Sequence, residues 1–160
     1  MITKQQREAA VERAAVYLDW AGITLIDGDR EKFEIADFGL SDLDNVGMEL
    51  FTYVNTRRVC ARELVLFPFQ TCPEHTHKGK RGAAGKEETF RCRRGRVWLY
   101  AAGEEKELNP GQQYTVKPGT PHWIRADREG AVLSVFGTRA NDANDIFTDP
   151  RIVRETVIKG

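Results

Sequence analysis

Histidine is scarce in this chain, with three among 160 residues. Cysteine is equally rare: Cys60, Cys72 and Cys92 are odd in number and form no CxxC pair. That count argues against a disulfide scaffold and for a reducing, cytoplasmic setting. No run approaches the roughly 18 apolar residues of a membrane helix, and the N-terminal MITKQQREAAVERAA lacks the apolar core of a signal peptide. A membrane partner is therefore not expected. Net charge is also missing, with 24 Lys plus Arg against 24 Asp plus Glu. That balance gives no reason to expect a nucleic-acid partner. The local basic stretch Arg91, Arg93, Arg94 and Arg96 is interrupted at strand spacing and reads as the solvent side of one strand.

What is present has the grammar of one β-rich domain covering residues 1–160. Thr3-Lys4-Gln5-Gln6 has the form of a capping box, and Val11, Ala14, Leu18 and Ala21 follow at helical spacing. Gly22 then suits a left-handed stop, which predicts one helix over about 4–21. Beyond it come short β-rich runs: 46–55, 60–67, 70–77, 87–100, 113–116, 122–124 and 131–137. Asn109-Pro110-Gly111, Lys117-Pro118-Gly119 and Asp127 to Gly130 punctuate them. Many short strands after a single helix predict an all-β antiparallel sandwich or barrel. Residues 78–86, with three glycines and four basic residues, read as a loop joining two strands.

All three histidines belong to one pattern. His75 and His77 are separated by one residue, so on a strand both face the same side. Glu88 opens the next strand with an anionic oxygen, and His122 follows 34 positions later, behind Pro118-Gly119-Thr120-Pro121. Three imidazoles and a carboxylate suit Zn²⁺, Fe²⁺, Mn²⁺, Co²⁺ or Ni²⁺ and do not suit the oxygen cage of Ca²⁺. Glu74 and Glu87 alternate with the ligands and are expected to face away.

Gly95 stands seven positions after Glu88, and Gly111, Gly119 and His122 keep the spacing G-x7-G-x2-H. These spacings resemble the two motifs of the cupin superfamily, whose antiparallel jelly-roll barrel sets two histidines, a glutamate and a later histidine around one metal. Two departures are visible. The glycine usual before HxH is absent, and the ten residues between His77 and Glu88 exceed the family gap. The second suggests an insertion beside the metal.

Longer phrases narrow the resemblance. Glu63-Leu-Val-Leu-Phe-Pro-Phe-Gln-Thr-Cys-Pro-Glu-His-Thr-His77, Lys86-Glu-Glu-Thr-Phe-Arg-Cys92 and Asp145-Ile-Phe-Thr-Asp-Pro-Arg151 resemble the D-lyxose ketol-isomerase family. The resemblance implies a metal-dependent exchange of D-lyxose with D-xylulose, and of D-mannose with D-fructose, with Mn²⁺ as the first choice of ion. It also implies a homodimer acting on a small sugar. Asp149 is the first candidate for the proton-transferring base, with a turn-capping role as its alternative. Arg62 stands where related enzymes carry Lys, and it could stabilise substrate oxygens but not act as a base. Lys86 could polarise a sugar hydroxyl, and Phe90 and Trp123 could wall the sugar. An iron dioxygenase, a non-catalytic sugar-binding cupin and a sugar-phosphate isomerase stay open as alternatives.

Overall fold

A computed structural model describes residues 1–79 and 82–160. The expected loop over 78–86 therefore includes two positions, Lys80 and Arg81, outside the described residues.

Strand β1 (Ile2–Thr3) leads directly into helix α1 (Lys4–Trp20). The capping box forms as read: Gln6 N donates to Thr3 Oγ1 at 3.1 Å and Thr3 N donates to Gln6 Oε1 at 2.8 Å. At the other end Gly22 adopts a φ of 76° and donates to Asp19, while Ile23 donates back to Leu18. The buried stripe Ala10, Val11, Ala14 and Leu18 packs on one face of a sheet, against Phe33, Phe51, Val65 and Val132. Removing the fully buried Leu18 side chain would cost about 2–5 kcal/mol.

The sheet contains β2 (Phe33–Ala36), β3 (Met48–Asn55), β4 (Cys60–Leu66), β5 (Thr71–Thr76), β6 (Glu88–Ala101), β7 (Glu104–Leu108), β8 (Gln113–Val116), β9 (His122–Gly137) and β10 (Ile146–Phe147). Two long strands, β6 and β9, pair antiparallel from Glu88–Gly137 to Ala101–His122 and form its spine. The far edge of β9 takes β5 at one end and β4 at the other, while β6 takes β8 and β7. The curled antiparallel sheet surrounds an apolar interior that includes Leu64, Leu66, Cys92, Leu99, Ile124 and Leu133. This is the all-β barrel architecture the sequence pattern implies. A last short strand, β11 (Ile158–Lys159), pairs in parallel with β1.

Three differences from the sequence reading have physical causes. Segments 122–124 and 131–137 are one strand, because Asp127 and Gly130 bend β9 without breaking it. The register shifts between Cys92 and Val97, opposite that bend. Gly95 (φ 72°) permits the bulge, since a Cβ there would lie 2.0 Å from the Gly130 carbonyl oxygen. Strand β7 was not expected, because Glu-Glu-Lys-Glu-Leu carries little β propensity; its charges suit a sheet edge. The short strands β1, β2, β10 and β11 also lacked a readable alternation. All three cysteines are buried and free, and no helix among the described residues is long and apolar enough to cross a membrane.

Candidate metal centre

The fold brings His75, His77, Glu88 and His122 together. His75 on β5 is the register partner of His122 at the start of β9, and Phe147 of β10 opposes His75 from the other side. His77 follows the end of β5 and stays on the side of His75, with ring centroids 4.7 Å apart. Glu88 begins β6 opposite Gly137, where a Cβ would lie 2.4 Å from the Glu87 carbonyl oxygen. The missing side chain thus lets β6 enter close to β9. All four side chains are buried.

The imidazoles are aimed by their outer nitrogens. Nδ1 of His75 lies 2.9 Å from the Pro73 carbonyl oxygen, and Nδ1 of His122 lies 2.9 Å from that of Thr120. A carbonyl only accepts, so each Nδ1 carries the proton and each Nε2 presents a lone pair inward. Asp145 Oδ1 accepts from Nδ1 of His77 at 2.6 Å and sets the same tautomer. The four prospective ligand atoms lie within 4.8 Å of one another. One ion at coordination distances of about 2.0–2.2 Å would reach them all.

The unmet bonding capacity of these atoms fits a cation. His77 Nε2, His122 Nε2 and Glu88 Oε2 are buried without a hydrogen-bond partner. His77 Nε2 also faces Glu88 Oε2 in direct contact. Two lone pairs so placed repel unless a proton or a metal ion sits between them. Without an ion a proton takes that place: burial disfavours charge on His77, yet the Asp145 and Glu88 carboxylates beside it outweigh burial and raise its pKa to about 9, so an arriving ion displaces the proton from Nε2. Burial, with the charges of His122 and His77, pushes His75 down to about 3. For Glu88 burial is outweighed by Lys86, His122 and His77, which hold its carboxyl well below the usual range. With that proton displaced, the donor set is one carboxylate and three imidazoles, a set that could hold a first-row divalent ion.

A cavity of about 40 Å³ adjoins the four residues. Phe90 and Ile124 form part of its apolar wall. Arg62, on the inward side of β4, and Lys86 reach it from opposite sequence contexts. Lys86 Nζ donates to Glu88 Oε1 at 3.1 Å, and Arg62 Nη2 lies 2.8 Å from Asp142 Oδ2. Two expected residues are elsewhere. Asp149 does not line the cavity; its carboxylate is bound by Arg151, with Nη2 to Oδ2 at 2.6 Å, which draws its pKa down to about 2. Trp123 alternates with the inward His122 and stacks outside the barrel on Tyr100, with centroids 3.8 Å apart. Glu74 faces away as expected, accepting from Thr148 Oγ1.

Asp142, Asp145 and Arg154 line the cavity without having been singled out. They come from the aperiodic segment after β9, where alternation gives no orientation. The one available signal was the run Asn141-Asp-Ala-Asn-Asp145, whose last residue opens the Asp-Ile-Phe-Thr-Asp-Pro-Arg phrase.

A scan against protein-family models finds no match. Similarity to individual proteins is extensive. The chain is 47% identical to a D-lyxose/D-mannose isomerase of Thermosediminibacter oceani, covering 96% of this chain and 97% of that one. It is also 47% identical to a D-lyxose ketol-isomerase of Cohnella laeviribosi, over 96% and 95% of the two chains. Among solved structures, a mutant L-ribose isomerase of Acinetobacter in complex with L-ribose superposes with a TM-score of 0.83 at 12% identity, covering 99% and 98%. That last likeness is one of fold. By the sequence relatives, this chain belongs to the D-lyxose ketol-isomerase family.

Proposed function

We propose that the protein is a metal-dependent aldose–ketose isomerase interconverting D-lyxose and D-xylulose, and also D-mannose and D-fructose. The observation that carries the reading is the buried His75, His77, Glu88 and His122 set, opening on a cavity that also holds Asp142, Lys86 and Arg62. When bound, a divalent ion supplies Lewis acidity to the two adjacent oxygens of an open-chain sugar. We assign Mn²⁺ as that ion.

Isomerisation moves one proton between C2 and C1, so a base must sit within reach of both carbons. Asp142 takes this role in place of Asp149. Burial works against its charge, but Arg62, Lys86 and Arg154 outweigh it and keep the carboxylate ionised, able to accept a proton. Arg62 fixes Asp142 and cannot itself exchange a proton near neutrality. Lys86 orients Glu88 and offers further N–H groups to a sugar hydroxyl. Phe90 and Ile124 limit water around the transferring proton.

The proposed setting is the cytoplasm, consistent with three buried free cysteines. A homodimer is the proposed assembly. Tyr53 and Phe136, on the sheet's outer side, are 51% and 49% exposed and supply apolar surface for a second copy.

The test is anaerobic incubation of the Mn²⁺-loaded protein with a panel of pentoses and hexoses. Ketose formation from D-lyxose without O₂ supports the isomerase; a requirement for O₂ would instead indicate a dioxygenase. Metal and sugar binding without turnover would indicate a binding protein.

A further inference from the structure

Residues 149–159 form a strap that returns along the barrel to the N-terminus. Ile152 packs on the interior cluster, Val153 N donates to the Phe38 carbonyl, and Asp37 N donates to Thr156 Oγ1. Strand β11 then pairs with β1. Asp37, itself fully buried, also receives the Met1 ammonium. Both chain ends are thereby tied to the turn that follows β2. Anchored at this site, the strap carries Arg154 into the metal cavity.

The bonds that Arg154 leaves unmade are informative. One terminal nitrogen, Nη1, pairs with Glu34. The other, Nη2, is 3.6 Å from Asp142 Oδ2, and both Nε and Nη2 are buried without a hydrogen-bond partner. Arg62 shows the same pattern: Nη2 is bonded to Asp142 while Nε is buried and unpartnered. Buried N–H groups at a ligand cavity call for acceptors. The charges of the cluster already balance, with two guanidiniums against the carboxylates of Asp142 and Glu34. Neutral acceptors suit it better than an anionic group.

We propose that Arg154 and Arg62 bind the hydroxyl oxygens of the sugar chain remote from the metal, and that the site thereby selects an unphosphorylated polyhydroxyl substrate. The inference rests on the isomerase reading for its choice of ligand. It makes Arg154 a substrate-binding residue delivered by the C-terminal strap, and it weighs against the sugar-phosphate alternative.

The test compares Mn²⁺-loaded wild type with Arg154→Gln and Arg154→Lys. The Lys variant keeps a cation for Glu34, and so the strap's anchor, while losing the guanidinium fork. Calorimetry reads binding of D-arabinitol, the unreactive reduction product of D-lyxose, and of its 1-phosphate, which carries the ester on the carbon that was C5 of D-lyxose. Turnover is read with D-lyxose and with D-glyceraldehyde, which lacks the remote hydroxyls. Both variants are expected to lose about tenfold or more in D-arabinitol affinity and in D-lyxose kcat/KM, because binding energy remote from the reacting carbons is removed. Metal stoichiometry should be unchanged, and the loss on D-glyceraldehyde, which reports only the effect of Arg154 on Asp142, should be at least about tenfold smaller than the loss on D-lyxose, most plainly in Arg154→Lys, which keeps a cation there. Equal losses on both aldoses, unchanged D-arabinitol affinity, or tighter binding of the phosphate ester would each overturn the proposal. If the wild type converts no aldose yet binds D-arabinitol in an Arg154-dependent way, the isomerase reading fails and this inference stands.

Discussion

Asp145 accepts a hydrogen bond from Nδ1 of His77 at 2.6 Å, so a residue after the last long strand orients a ligand just past β5. Outer partners of this kind fix tautomer and basicity. Asp145→Asn is therefore expected to weaken metal affinity by about 10–100-fold while the barrel stays folded. Calorimetric metal titration, with the thermal midpoint as the control for folding, checks this. Undiminished affinity would mean that the bond has no part in holding the ion.

The two late aspartates are expected to separate cleanly. Asp142→Asn should lower kcat by about 10²–10⁴-fold with little effect on bound metal, because the proton carrier is lost. Asp149→Asn should leave kcat within about threefold, its carboxylate being occupied by Arg151 outside the cavity. Steady-state kinetics of both variants decide the assignment. A large loss confined to Asp149→Asn would reverse it.

A pH effect is expected far from the metal. Glu49 lies fully buried, with one oxygen near Gln70 Nε2 at 3.1 Å and the other unpartnered, and burial raises its pKa to about 8. A folded pKa above the unfolded value gives stability that is complete below the unfolded pKa. It is lost as pH rises through the folded one. The window runs from about 4.5 to about 8. The slope contributed by one group is at most about 1.4 kcal/mol per pH unit. Glu49→Gln should therefore gain in thermal midpoint relative to wild type as pH rises across that window, and only there. A constant offset at all pH values would refute the buried charge as the cause.

The metal set was legible because its chemistry depends on residue type and short spacing. His75-x-His77 and Gly119-x2-His122 each lie within one turn or strand, and a period of two fixes which way such residues face. Arg62 was reached through the family resemblance, as the position where related enzymes carry Lys, and the structure places it at the cavity from β4. Asp142, Asp145 and Arg154 were not legible, since their orientation depends on how an irregular tail folds back over 37–39. Strand β9 was split on paper because Asp127 and Gly130 read as a turn. Only the partner bulge at Gly95 shows that they bend a continuous strand. The charged β7 was hidden because an edge strand needs no apolar face.

The most direct measurement is ketose formation from D-lyxose by protein stripped of metal, then reloaded with Mn²⁺, beside His122→Ala treated identically. The expected result is no turnover in the stripped wild type and recovery on adding one ion per chain. His122→Ala should bind metal weakly and stay inactive. Full activity in the metal-free wild type, or an active His122→Ala variant, would contradict the assignment of His75, His77, Glu88 and His122 as the metal centre of this isomerase.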